Sequence, residues 1–159
     1  MEFKPMKRRP EREISKEDAL NLLKQAEYGV LSLAGTENGY PYGVPINYMY
    51  DDNNLYFHCG IKGQKLDIIK GNDKACFTVV LDAKVLPQQH STAYKSVIAF
   101  GRCTPIFGDL KDELLLKFGM HFAADFPDEI KKNIEKRGAI TAIIKFEIDY
   151  LTGKQRKDI

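Results

Sequence analysis

Apolar residues recur at every second position near the end of the chain, between Ala139 and Tyr150. Alternation of this kind is typical of a strand with one buried face. The run 75–81 is almost continuously apolar and rich in β-branched residues, which predicts a strand buried on both faces. A third long strand is predicted over 94–104, where Gly101 indicates a bulge or a barrel bend.

Shorter apolar runs and turn signals complete a pattern of antiparallel hairpins. Strands are predicted over 30–33, 42–50 and 55–58. An Asn-Gly pair precedes the second of these strands, and a polar turn joins the second to the third. Pro45 interrupts the second strand, and because proline lacks the N–H that a ladder needs, we expect this strand at a sheet edge or a bend.

Helical spacing is confined to short segments. Four helices are predicted, over 16–27, 63–70 and 110–122 and from Pro127 onward. Ser15, followed three residues later by Asp18, has the form of a helix N-cap, and Asp109 is the predicted cap of the third helix. The stretch 82–93 is polar and predicted to be a loop. About five or six strands with few, peripheral helices favour a mainly β protein, a small antiparallel barrel.

The composition restricts the partners and the location. A chain of 159 residues is the size of one domain, and a net charge of +2 does not indicate nucleic acid as a partner. No apolar run approaches the ~20 residues that a membrane span needs, and the polar N-terminus lacks an apolar signal core. We therefore expect a cytoplasmic protein with an extended arm over 1–13, one domain over 14–151 and a basic tail over 152–159.

Lys62, Gly63 and Lys65 lie where a predicted strand ends and a predicted helix begins. The first amides of a helix have no acceptor within it, and glycine lets the backbone approach a ligand closely. This corner therefore suits an anionic group such as a phosphate, with Lys65 as the first candidate ligand. A solvated lysine at a helix start has the same spacing, so the residues alone leave both interpretations open.

Other polar side chains on the strands are candidates for ligand contacts. His58 ends a strand and is either a proton donor near neutral pH or a structural histidine. Asn47 offers a donor and an acceptor, which suits the amide-like edge of a flat heterocycle, or it is a surface residue of an edge strand. The three histidines lack ligand-like spacing, so no metal site is predicted. Ser96 has no Gly-x-Ser-x-Gly context, so a nucleophilic hydrolase is not predicted.

Four segments, taken in order, resemble one known family. They read Gly-Val-Leu-Ser at 29–32, Gly-Tyr-Pro-Tyr-Gly-Val-Pro-Ile-Asn-Tyr at 39–48, Leu-Tyr-Phe-His-Cys at 55–59 with Gly-Gln-Lys at 63–65, and Tyr-Lys-Ser-Val-Ile-Ala-Phe-Gly at 94–101. Together they resemble the pyridoxamine 5′-phosphate oxidase-like FMN-binding split-barrel superfamily, most closely its nitroimidazole-resistance (Nim) flavoproteins. The resemblance extends over residues 7–150.

The resemblance implies a six-stranded antiparallel split β-barrel that forms a homodimer with two FMN sites at its interface. The residues implied to lie along the isoalloxazine ring are Val44, Pro45, Ile46 and Asn47. His58 matches the histidine that Nim proteins place near the flavin and the substrate, and it is the implied catalytic residue.

The same resemblance implies where the rest of the cofactor would be held. Gln64 and Lys65 would hold the FMN phosphate, with help from Lys62. Ser96 and Val97 would contact the flavin from a neighbouring strand.

Departures from the oxidase pattern narrow the implied activity. The oxidases commonly carry Arg-Lys where this chain has Gln64-Lys65, and an Arg-Gln pair where it has Lys95-Ser96. Pyridoxamine phosphate oxidation is therefore not predicted. We expect an FMN-dependent reductase of small nitroimidazole- or quinone-like aromatic substrates, with NAD(P)H as a possible electron donor. The alternatives are a flavin-binding module without turnover and a haem-binding split barrel that uses His58.

Overall fold

One sheet of seven antiparallel strands organises residues 3, 4 and 6–157, which are the residues that the computed structural model describes. The strands are β1 (Tyr28–Leu33), β2 (Tyr42–Asn47), β3 (Met49–Asp51), β4 (Asn54–Gly60), β5 (Lys74–Leu86), β6 (Ser91–Ile106) and β7 (Thr141–Arg156). The helices are α1 (Lys16–Gln25), α2 (Gln64–Gly71), α3 (Asp109–Ala123) and α4 (Pro127–Arg137). Short 3₁₀ turns lie at Pro10–Arg12, Pro87–Gln89 and Gly138–Ile140.

The two edges of the sheet belong to consecutive strands. The strand order is β2-β1-β5-β6-β7-β4-β3, and Tyr48 alone separates β2 from β3 along the chain. The edge strands must therefore lie close together, so the sheet curls into a barrel that is split between them. The predicted mainly β split barrel is confirmed. The strand count is seven instead of six because the chain leaves the ladder at Tyr48, which divides the predicted strand 42–50 in two.

Side chains from alternate strand positions fill the barrel. Leu31, Phe57, Phe77 and Phe146 are all fully buried there. Full burial of a large apolar side chain stabilises a fold by roughly 1.5–3 kcal/mol, so these side chains contribute substantially to the stability of the barrel. A second, smaller cluster forms outside the barrel, where α3 packs against β3, β4 and β7.

Tyr48 connects the split of the barrel to α1 and to the core. Its side chain is 1% exposed, and its hydroxyl donates a hydrogen bond to the backbone carbonyl of Leu23 in α1. Its ring meets the ring of Phe77 edge to face, with centroids 4.7 Å apart. Because burial disfavours the phenolate, the pKa of Tyr48 is raised well above its usual value. The neutral hydroxyl therefore ties α1 to the joint between β2 and β3.

Several local signals in the sequence are confirmed. The side chain of Ser15 caps α1 by accepting a hydrogen bond from the amide of Asp18 at 3.0 Å. Pro45 lies in β2, an edge strand of the sheet. Gly101 lies at a register shift between β6 and β7, where a Cβ atom would be 2.0 Å from the carbonyl oxygen of Glu147. Only glycine fits such a bulge.

The helices lie close to their predicted positions. Pro127 is the first residue of α4, as expected, because its missing N–H has no acceptor there in any case. The predicted cap of α3 is wrong. Gly108, with φ at 73°, is the N-cap, and Asp109 is the first helical residue, where its carboxylate favours the positive end of the helix dipole. Within residues 3, 4 and 6–157, no helix is long and apolar enough to cross a membrane.

Two segments predicted to be irregular are strand instead. Residues 82–93 contain the end of β5 and the start of β6, joined by the turn Pro87–Gln89. The predicted basic tail begins inside β7, because residues 152–156 pair with residues 94–98 of β6. Ladder hydrogen bonds join backbone groups, so charged side chains on an open face do not prevent pairing. Residues 158 and 159 of the predicted tail lie outside the described residues.

The predicted N-terminal arm packs on the outer face of the sheet. The ring of Phe3 stacks on that of Tyr150 in β7, with centroids 4.6 Å apart. The turn Pro10–Arg12 then leads the chain towards α1. Residues 1, 2 and 5 of the predicted arm lie outside the described residues, so its extended form stays a prediction there.

Candidate ligand-binding site

A cavity of about 530 Å³ opens between the barrel and the α3–α4 pair. Asn47, at the end of β2, and His58, near the end of β4, line it from the barrel side. Phe118 and Phe122 of α3 and Arg137 of α4 line the helical side. Apolar and aromatic walls with a few polar groups, in a volume of this order, are typical of small-molecule sites.

Strand alternation brings the two polar barrel residues to this cavity. In β2, Val44 and Ile46 are half-buried against the core, whereas Pro45 and Asn47 are exposed on the opposite face. His58 is likewise exposed, next to a buried phenylalanine in β4. Successive strand residues point to opposite faces, so Asn47 and His58 both leave the barrel. The side chains of Val44 and Ile46 point inward, which leaves Pro45 and Asn47 as the part of β2 that an outside ligand meets.

His58 stacks on Phe118, with ring centroids 4.9 Å apart and planes inclined by 21°. The residue is exposed overall, yet this contact removes water from one face of the imidazole. The resulting desolvation lowers the pKa of His58 below its ordinary value. The imidazole is therefore chiefly neutral at pH 7, with one nitrogen that donates and one that accepts a hydrogen bond.

The chain between β4 and α2 forms the predicted anion corner. Gly63 is the N-cap of α2, with φ at 137°, a conformation that side-chain-bearing residues rarely adopt. The amides of Leu66 and Asp67 both donate to the Gly63 carbonyl, at 3.0 and 3.2 Å. The two amides before them, at positions 64 and 65, are the first of the helix and have no acceptor within it. The corner therefore offers backbone donors beside the Lys65 side chain.

The Lys65 ammonium lies near β4, the strand that carries His58. Desolvation raises the pKa of the Cys59 thiol, and the nearby Lys65 ammonium partly offsets the rise. Cys59 directly follows His58 in β4 and points to the other face of the strand. Lys65 is half-buried, and Lys62 is exposed. A cationic corner and an aromatic cavity thus lie at the same end of β4.

Three other predicted contact residues lie apart from the cavity. Gln64 lines a separate opening of about 410 Å³ between α2 and the β1–β2 loop. Ser96 is half-buried on the outer face of β6, paired with Val80 of β5. Val97 is 0% exposed within the core, so only its backbone is available to a ligand outside the barrel. The roles of these residues stay predictions.

The helical half of the cavity was missed by sequence reasoning. The sequence analysis singles out neither Phe118 and Phe122 of α3 nor Asn133 and Arg137 of α4 as ligand contacts. Each pair is spaced by four residues, which places its members on one face of a helix. That spacing was the available signal, but it does not show which surface the helix face covers.

An antiparallel sheet that curls into a barrel and stays open between its two edge strands defines a split-barrel protein. The sequence model of the pyridoxamine 5′-phosphate oxidase family matches residues 15–155, from the cap of α1 to the end of β7. The chain belongs to this family, which confirms the resemblance. The comparison with curated proteins found no match.

Solved structures of bacterial proteins share the fold. A protein proposed to confer 5-nitroimidazole antibiotic resistance in Bacteroides thetaiotaomicron is 23% identical, with 89% of this chain and 85% of that chain covered and a TM-score of 0.68. An FAD-binding protein from Mesorhizobium loti is 19% identical, with 92% and 98% covered and a TM-score of 0.69. An FAD- and haem-binding protein from Mycobacterium smegmatis is 21% identical, with 91% and 72% covered and a TM-score of 0.74. At these identities the likeness establishes the fold.

We expect Phe118→Ala to raise the pKa of His58 towards the ordinary value of 6.5, because water regains access to the stacked face of the imidazole. The pKa is measured by NMR from the pH dependence of the imidazole signals. Phe107→Ala removes an exposed phenylalanine outside the cavity and serves as the control. An unchanged pKa in Phe118→Ala would show that the stack is not the cause.

The same shift has a consequence for stability. Because the folded-state pKa of His58 lies below the unfolded one, protonation of His58 opposes folding. Above pH 6.5, His58 is neutral in both the folded and the unfolded chain, and the protein has its full stability with respect to this residue. As the pH falls below 6.5, the unfolded chain binds a proton first, so the free energy of unfolding decreases until the pH passes the lower pKa of His58 in the folded chain. This loss should be smaller in Phe118→Ala than in the wild type.

Proposed function

We propose that this protein binds FMN and acts as an oxidoreductase on small aromatic molecules. The observation that carries the proposal is the placement of the Lys65 corner and the His58 cavity at the same end of β4. One ligand with a phosphate and a flat ring system would use both features. Membership in the pyridoxamine 5′-phosphate oxidase family and the FAD named for two structural relatives support a flavin as this ligand.

The residues present fit such a cofactor. The phosphate would be held by Lys65 and Lys62 and by the free amides at the start of α2, where the helix dipole also favours an anion. Gln64 stands where the oxidases commonly have arginine, so the phosphate loses one bidentate cation but keeps a neutral donor. The ring system would lie along the exposed face of β2, against Pro45 and Asn47.

The flavin would supply electron and hydride transfer, and the chain would supply position and environment. The Asn47 carboxamide offers a donor and an acceptor to a heterocycle edge. Phe118 and Phe122 form an apolar wall opposite. His58 is the proposed hydrogen-bond donor to the substrate, because its neutral imidazole carries one N–H and the side chain lines the same cavity.

A homodimer is part of the proposal. Val30, Val80 and Tyr28 expose 38%, 59% and 66% of their side chains on the outer faces of β1 and β5. Val30 of β1 pairs with Thr78 of β5, and Thr78 lies two residues before Val80 on the same face of β5. The exposed residues of the two strands therefore share one face of the sheet. A contiguous apolar patch on a sheet face is a common site of self-association. Ser96 pairs with Val80 and would therefore lie at this interface.

Lys65→Ala should weaken FMN binding by about 10–100-fold, because it removes a charge-assisted hydrogen bond worth roughly 1.5–3 kcal/mol. Riboflavin, which lacks the phosphate, should bind both forms equally. Flavin fluorescence titration measures both affinities. The control is Lys70→Ala, an exposed lysine in the last turn of the same helix.

Two outcomes would count against this part of the proposal. An equal loss for riboflavin would show that Lys65 does not act on the phosphate, and a lack of FMN affinity at micromolar concentration in the wild type would exclude the cofactor. A Soret band in the spectrum of the purified protein, in place of flavin bands, would instead favour haem held by His58.

Val80→Asp should convert a dimer to a monomer, because it places a charge in the proposed apolar interface of each protomer. Sedimentation velocity on the wild type and the variant measures the change in mass. Thr104→Asp introduces the same carboxylate at an exposed position near the other end of β6 and should leave the dimer intact. A wild type that sediments as a monomer would remove the dimer from the proposal.

His58→Phe should lower the rate of nitroaromatic or quinone reduction by about 100-fold while leaving FMN affinity unchanged, because the ring still packs but no hydrogen bond to the substrate can be donated. Stopped-flow reduction with NAD(P)H, followed by addition of the acceptor, measures each step. His121→Phe changes an exposed histidine of α3 outside the cavity and serves as the control. A flavin that stays oxidised in the wild type would favour the binding module without turnover.

A further inference from the structure

We infer that the cavity between the barrel and the α3–α4 pair selects aromatic substrates that carry a carboxylate, and that Arg137 recognises the acid group. The inference rests on the proposed function, because it names the substrate class of the same site. It adds a charge requirement to a site so far described by its aromatic walls.

The described side chains that line the cavity carry positive charge and no negative charge. Among the described residues that line it, Arg137 is the only one with a full charge at neutral pH, and none is Asp or Glu. Within the described part of the chain, Arg137 makes no ion pair. Asp112, a carboxylate close to Gly138, is already paired with Lys111 at 3.1 Å. A bound carboxylate would therefore meet a cation without meeting a like charge.

The backbone around Arg137 is held on both sides. The hydroxyl of Thr141 donates to the Arg137 carbonyl at 2.8 Å, and the Lys111 ammonium donates to the Gly138 carbonyl at 2.6 Å. Lys111 is only 8% exposed, and a buried ammonium is tolerated only where it is hydrogen-bonded or paired. Its hydrogen bond to Gly138 fixes the turn after α4 to α3. The backbone from which the Arg137 side chain extends is thus fixed, so binding need not order this turn.

The opposite walls favour a flat ring. Phe118 and Phe122 pack together with centroids 5.0 Å apart, and Phe118 stacks on His58. An aromatic ring gains stacking contacts there, and its carboxylate gains a two-pronged hydrogen bond from a planar guanidinium. A neutral aromatic molecule would use only the first set of contacts, and an aliphatic acid only the second. An aromatic acid uses both.

The test compares two probes with the same ring, nicotinate and nicotinamide, on the FMN-loaded protein by isothermal titration calorimetry. Nicotinate should bind about tenfold more tightly or better, as expected for a charge-assisted bidentate pair. Arg137→Gln should abolish this preference while leaving FMN affinity unchanged. Lys136→Gln removes the neighbouring charge, which does not line the cavity, and should keep the preference.

NMR of the His58 imidazole locates the bound acid. Nicotinate should shift these signals in the wild type and not in Arg137→Gln. Equal affinities for the two probes, or a preference that survives Arg137→Gln, would overturn the inference. If the wild type does not bind FMN but shows the preference and the His58 shift without it, the acid site stands and the proposed flavin function fails.

Discussion

The buried hydroxyl of Tyr48 is the contact on which the arrangement of this barrel depends. The sheet has its two edges at consecutive strands, and Tyr48 is the one residue between them. Its hydrogen bond to Leu23 holds α1 over the joint, and its contact with Phe77 anchors the joint in the core. Asn47 directly precedes Tyr48. The position of the last residue of β2 in the cavity is therefore set by a buried anchor, not by a loop.

The end of β4 relates the two halves of the candidate site. His58 leaves the barrel towards the α3–α4 pair, and the next six residues lead to the anion corner at Lys65. Because a strand is stiff and the corner follows it without a long loop, the distance between an aromatic contact and a charge contact is fixed by the fold. A rigid separation of this kind favours one ligand that carries both a ring and an anion.

Local features were predictable because each depends on nearby residues alone. The Ser15 cap, the bulge at Gly101 and the edge position of Pro45 follow from a side chain, a missing Cβ or a missing N–H. The pairing of 82–93 and of 152–156 was not predictable from polar sequence, because it depends on a partner strand that brings backbone groups into register. The α3–α4 wall was missed for a related reason. An amphipathic stripe shows that a helix has a buried face but does not identify the surface that covers it.

The strand order also bears on the proposed dimer. In the sheet, β6 is the middle strand, three places from either edge, whereas Asn47 lies on the edge strand β2. Two strands, β1 and β5, separate Ser96 from Asn47 within one protomer, a distance of about 14 Å at the usual spacing between strands. If both contact the flavin, as the family pattern implies, the partner protomer supplies one of them. The site would then be complete only in the dimer, and the apolar face that carries Val80 would have a function beyond association.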